Sequence, residues 1–268
     1  MEEAILAGLL EPSPRGKVAA ARHAATLWRD REVGGLLATT SALAPDRPAR
    51  PEHPVLAPPR EVPRRRLGSE AGRIALLHAL AHIELNAIDL ALDMALRFAR
   101  ECEAKLGRAE EFTSDWLKVA EDEALHFELL EDRLQDLGSH YGALKAHDGL
   151  WQAALATKNH WRARLCVVPM VLEARGLDVT PGTIVKLRDL GDKRSADILQ
   201  QIYTDEITHV RTGVKWFQAL CALEEISEEE AFNKDLEDFF KGTLKGPFNE
   251  EARSEAGLSP NLYRTNAQ

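Results

Sequence analysis

The chain has 268 residues, 44% of them hydrophobic and 29% charged, with a formal net charge of −9. That balance supports a sizeable buried core under a solvated surface and excludes disordered, collagen-like and purely coiled-coil chains. The acidic excess weighs against broad electrostatic capture of nucleic acid, so RNA is not an expected partner.

Taken in chain order, the sequence opens Met1-Glu2-Glu3, acidic where a secretory signal is basic, and no apolar stretch followed by small residues comes after it. A cytoplasmic location is expected. Uninterrupted apolar runs such as 166–170 and 74–77 fall far short of the roughly 20 residues of a membrane span, so no membrane partner is expected either. Residues 16–31 are alanine-rich and helical in composition, and 35–43 form a second short apolar run; together they suggest a helical appendage over residues 1–44. Seven of the 13 prolines then lie between Pro45 and Pro63, where X-Pro steps favour extended backbone. With Arg60 and Arg64 to Arg66, residues 45–68 read as a Pro/Arg-rich linker or wrapping arm.

No proline occurs between Arg64 and Val168, which permits long helices. The first runs from Ser69, a capping residue, to about Arg100, with Ile74, Leu77, Ala81, Leu85, Ile88, Leu92 and Ala95 at three- and four-residue steps. The second spans 116 to about 137 and stops at Gly138. Residues 141 to about 160 are alanine-rich and expected to be helical. A third helix over 161–175 contains Pro169, which predicts a kink or a later start, and ends at Gly176. Thr180-Pro181 then reads as the cap and first-turn proline of a short helix to about Leu190. The fourth long helix covers 192 to about 223. Residues 224–268 form a C-terminal helical extension, an amphipathic helix over 227–240 and a less regular tail. Val, Ile and Thr never alternate between turn signals, so strands have little support. The expected fold is all-α: a four-helix bundle over 69–223 with additional N- and C-terminal helices. Cys102, Cys166 and Cys221 are odd in number and widely spaced, which fits buried thiols rather than a disulfide framework.

Each long helix carries metal-ligand chemistry inside an apolar stripe. Glu84 lies on the first, Glu123 and His126 form a Glu-x-x-His pair on the second, Glu173 ends the third, and Glu206 with His209 repeats the pair on the fourth. A three-residue step leaves Glu and His about 60° apart on adjacent turns of one face, so both can reach one ion. Four carboxylates and two imidazoles make the ligand set of dinuclear ferritin-like proteins. These donors suit two iron ions first and manganese second. Asp122 and Asp205 each stand four residues before a ligand histidine, where a carboxylate can accept the ring's other N–H. Tyr203, one turn before Glu206, is a candidate catalytic residue beside the metals, although a core tyrosine with a satisfied hydroxyl is the commoner case. His78 and His82 point away from Glu84 and read as supporting or surface residues, and Asp89 and Asp93 as helix-face charges.

Glu84, Glu123-x-x-His126, Glu173 and Glu206-x-x-His209 resemble the ferritin-like di-iron carboxylate superfamily. The wording around them, His78-Ala-Leu-Ala-His82-Ile-Glu84, Asp122-Glu123-Ala-Leu-His126 and Glu173-Ala-Arg-Gly-Leu-Asp178-Val-Thr-Pro181, is similar to the bacterial ferritin-like family known as domain of unknown function 455. The resemblance implies a dinuclear metal site and brings no substrate with it. A more distant similarity is to a di-iron hydroxylase of a tRNA nucleoside, which shares the ligand order. Leu125 and Thr208 stand before the ligand histidines, where soluble di-iron oxygenases often carry Arg. The expected function is an oxidoreductase that uses O₂ to oxidise or hydroxylate a small molecule, with an external reductase as partner and a homodimer as a compatible assembly. An iron-binding or ferroxidase protein, and a peroxidase or manganese catalase type of enzyme, remain as alternatives.

Overall fold

A capping serine ahead of a proline-free, leucine- and alanine-rich stretch builds the longest helix of the chain. In a computed structural model, which describes residues 1–30, 44–264 and 266, Ser69 accepts a hydrogen bond from the Gly72 amide and opens that helix, Glu70–Leu106. The described chain divides into two units, Met1–Trp151 and Gln152–Gln268, a division that falls inside the 69–223 segment expected to be one bundle. Among the described residues there is no strand, and one isolated bridge joins Leu56 to Ala146. The fold is all-helical.

The first unit begins with α1 (Glu2–Leu10) and α2 (Pro14–Arg29), then α3 (Glu70–Leu106) and α4 (Ala109–Asp136). Ser13 caps α2 from its side chain, with Pro14 in the first turn. Gly107, at φ 64°, ends α3 in the left-handed region that favours glycine, and the chain reverses at once into α4. α3 packs along α4, α2 against both, and α1 against α2 and α3. The N-terminal helices are therefore part of this core. The apolar run at 35–43 lies outside the described residues.

α3 is buried almost all round, with Leu77, Ala81, Leu85, Ile88 and Leu92 fully enclosed. It contains an 18-residue window apolar enough, by length and composition, to cross a membrane, which uninterrupted runs alone did not reveal; 78% of that window is buried inside the protein. Asp89 and Asp93 are buried as well and are not the surface charges expected. Lys17 of α2 reaches Asp89 at 2.5 Å and also donates to the Gly8 carbonyl at 2.9 Å, Arg50 reaches Asp89 at 2.9 Å, and Arg97 holds Asp93 at 2.7 Å. Buried charges survive only when paired and hydrogen-bonded in this way.

The proline-rich segment wraps this unit. The Ala49 amide donates to the Leu9 carbonyl, Arg97 donates to the Pro45 carbonyl, and Trp151 donates to the Asp46 carbonyl. The helix expected over 141–160 shrinks to α5 (Gly149–Ala156). Residues 139–148 instead form an irregular loop, because Ala146 bonds in both directions with 55–57 and the Gly142 and Leu144 amides donate to His78.

In the second unit, α6 (Trp161–Val167) passes into a π-helical segment, Val168–Glu173, and then into α7 (Ala174–Asp189). Pro169 cannot donate to the ladder, and the Ala174 amide bonds back five residues to the Pro169 carbonyl. Gly176 does not end the helix and Thr180-Pro181 does not start a new one, contrary to expectation; α7 runs through both. The carbonyl that Pro181 leaves without its usual donor belongs to Leu177, and it accepts from the Asn249 side chain at 3.1 Å. After a turn at Gly191, Asp192 caps α8 (Lys193–Leu223), which packs against α6, the π segment and α7. Ser227 caps α9 (Glu228–Phe239), and the tail contains α10 (Glu250–Glu255) and α11 (Pro260–Arg264), more regular than its punctuation suggested. Cys102, Cys166 and Cys221 are free and buried, and burial pushes the Cys102 and Cys221 thiols up to about 12.

Candidate metal centre

Within the first unit, α3 and α4 bring Glu84, Glu123 and His126 together. Each offers a ligand atom within 4.8 Å of the other two, and all three residues are buried. His126 Nδ1 lies 3.5 Å from Glu84 Oε2 and 3.4 Å from Glu123 Oε2. Burial, then the charge of Glu123 and a hydrogen bond with it, hold the Glu84 carboxyl well above the usual carboxylate range, and His126 opposes them. Glu84 Oε2 makes no hydrogen bond among the described residues. A cluster of this kind is equipped to hold a metal ion.

Within the second unit, α8 repeats the three-residue step. His209 is buried, Glu206 is 12% exposed, and Glu206 Oε1 stands 3.5 Å from His209 Nδ1. The other carboxylate oxygen of Glu206 is buried and makes no hydrogen bond among the described residues. Glu173 ends the π segment that packs on α8. A π turn shifts the residues after it out of α register, a device frequent at functional sites. Gly213, one turn beyond His209, lets that segment approach: a Cβ there would lie 2.5 Å from Pro169 Cγ.

Residues 10–264 match the family described as a protein of unknown function, DUF455. The chain belongs to that family. It is also 43% identical, over 209 residues, to an uncharacterized protein of Haemophilus influenzae, covering 78% of this chain and 73% of that relative. No solved structure matches.

The remaining candidates of this DUF455 chain fall as follows. Asp122 accepts from Lys118 on its own helix, and the Asp205 carbonyl accepts from the Thr208 hydroxyl. The Tyr203 hydroxyl accepts from Asn249 Nδ2 at 3.0 Å. His78 and His82 are buried and face the 139–148 loop: His78 Nε2 accepts two backbone amides, and His82 Nδ1 meets the Tyr141 hydroxyl at 2.8 Å. Burial first, then neighbouring positive groups, lowers both histidines to about 4, so both are neutral at pH 7.

Sequence reasoning missed Asn249 and Arg253, which brace the second unit. Arg253 grips Asp178 with two bonds of 2.8 Å, and the Asn249 amide donates to the same carboxylate at 3.0 Å. Asn249 also joins Leu177 of α7 to Tyr203 of α8 through its side-chain amide, and caps α10 with its side-chain oxygen. The only local signal was an Asn before Glu250-Glu251, a helix-start pattern.

Proposed function

We propose that the chain is a metal-dependent oxidoreductase in which Glu84, Glu123, His126, Glu173, Glu206 and His209 hold two metal ions, iron in preference to manganese, with O₂ as the oxidant of a small substrate. The observation that carries this reading is the contrast between Glu84 and the other buried acids. Asp89 has Lys17 and Arg50, Asp93 has Arg97, and Asp178 has Arg253. The groups that act on the Glu84 charge are Glu123 and His126.

Two carboxylates removed from water cost several kcal/mol unless protonated or joined by a cation. A divalent ion meets that need with donors of the right chemistry: carboxylate oxygen and neutral imidazole nitrogen. The residues present therefore fit a metal. The second pair of donors supports a dinuclear set by its order in the sequence, since Glu then Glu-x-x-His occurs twice.

When bound, two iron ions supply the electrons for attack on O₂. The protein's own part is to place four carboxylates and two imidazoles on helices, to balance ionic charge with carboxylate charge, and to exclude bulk water by burial. Hydroxylation consumes two further electrons per turnover, which an external reductase would deliver.

The test is oxygen uptake by protein loaded anaerobically with Fe(II). Uptake of about one O₂ per chain, lost in the Glu123→Ala/Glu206→Ala double variant, is the expected result. Iron accumulating far beyond two ions per chain would replace this reading with iron storage. Peroxide consumption by manganese-loaded protein without added reductant would replace it with peroxidase or catalase chemistry.

A further inference from the structure

The second unit contains a cavity of ≈ 220 Å³ that none of the six candidate ligands lines. Its walls are apolar: Val171 and Leu172 from the π segment, and Phe240, Leu244 and Phe248 from the chain that follows α9. Its polar lining is mainly cationic, supplied by Arg175, Lys245 and Arg253, and no acidic side chain lines it among the described residues.

The three cations are not equivalent. Arg253 is neutralised by Asp178 and stacked on Phe248 and Tyr263, with its guanidinium carbon 4.8 and 4.6 Å from those ring centres. Arg175 is steadied through Nη1, which donates to the Lys245 carbonyl at 2.7 Å and approaches Asp178 at 3.3 Å. Its Nε and Nη2 have no protein partner among the described residues, and neither has Lys245 Nζ. Arg175 and Arg253 share one carboxylate, Asp178, so with Lys245 the pocket keeps a positive excess beside its apolar walls.

We propose that this pocket binds a small apolar monocarboxylate, its carboxylate between Arg175 and Lys245 and its hydrocarbon body against Leu172, Leu244 and Phe248. The volume accommodates a molecule the size of benzoate or hexanoate and is below the about 300–1,000 Å³ of sites for drug-sized ligands. A neutral ligand of the same shape would gain no ion pair with the two cations, whereas acetate would leave the apolar walls uncovered. A planar guanidinium that is already steadied loses less entropy on engaging a carboxylate than a free one does.

The experiment is calorimetric titration of the full chain, with and without chelator, using benzoate and hexanoate as probes and benzyl alcohol, hexanol and acetate as controls. Saturable binding of the two probes, at least about tenfold tighter than of the controls and the same with chelator, is expected. Arg175→Met/Lys245→Met should weaken the probes at least about tenfold with an unchanged circular dichroism spectrum. Leu244→Trp, which fills the cavity, should abolish binding. The proposal is overturned by alcohols binding as tightly as carboxylates, by no saturation up to about 10 mM, or by equal binding in the charge variant. Binding by the metal-depleted Glu123→Ala/Glu206→Ala protein keeps this outcome separate from that of the metal reading.

Discussion

The two halves of the candidate ligand set are written alike and built differently. Glu84, Glu123 and His126 stand on uninterrupted α-helices whose geometry is local: caps at Ser69 and Gly107 and apolar burial along α3. Glu173, Glu206 and His209 stand on a π segment and on α8, in a unit where Pro169 of the π segment and Pro181 of α7 remove helix hydrogen bonds. There the backbone relies on a segment more than 40 residues away, through Asn249 to Leu177 and Tyr203 and through Arg253 to Asp178. The same ligand pattern can thus be held by local helix physics or by a distant brace.

That contrast is open to attack. The largest effect expected is from Arg253→Met, which leaves the buried Asp178 carboxylate with the Asn249 amide and the longer contact to Arg175 as its only partners among the described residues. A loss of about 3–5 kcal/mol in urea unfolding should follow, with reduced metal content, and a loss under about 1 kcal/mol would remove the brace from the account. Next comes pH. His78 is held neutral with its pKa lowered from 6.5 to about 4, so folding stability is fully present above pH 6.5 and is lost as pH falls from 6.5 towards 4. The contribution is on the order of 2–3 kcal/mol, and His78→Gln should flatten that part of the stability profile. An unchanged profile would show that the loop contact on α3 does not depend on a neutral ring.

Asn249→Ala should cost about 2 kcal/mol, since it strips the Leu177 carbonyl and the Tyr203 hydroxyl of a donor and α10 of its cap. Hydrogen exchange should then quicken near Pro181 and not in α3. The smallest effect is Ser69→Ala, about 1 kcal/mol through the lost cap, with no change in metal content. A loss of metal from that variant larger than from Asn249→Ala would invert the comparison.

What could be read beforehand follows the same division. α3 announced itself through the Ser69 cap, α3 and α8 alike through apolar spacing, and Glu-x-x-His is a feature of one helix, visible in four letters. The continuation of α7 through Pro181 was not legible, because the donor that rescues Leu177 is Asn249. The loop at 139–148 was hidden for a similar reason: its alanines favour helix, but His78 and residues 55–57 take its backbone groups. The burial of Asp89 and Asp93 depends on Lys17, Arg50 and Arg97, of which only Arg97 is a helical neighbour. Propensity reports what a segment can do alone, and these segments do not act alone.

The most direct test of the central claim is the metal content of protein purified without chelator and again after anaerobic reconstitution with Fe(II), measured by elemental analysis. The account predicts about two ions per chain, falling to near zero in the Glu123→Ala/Glu206→Ala variant with its helix content retained. No metal after reconstitution, or the same stoichiometry in that variant, would contradict it.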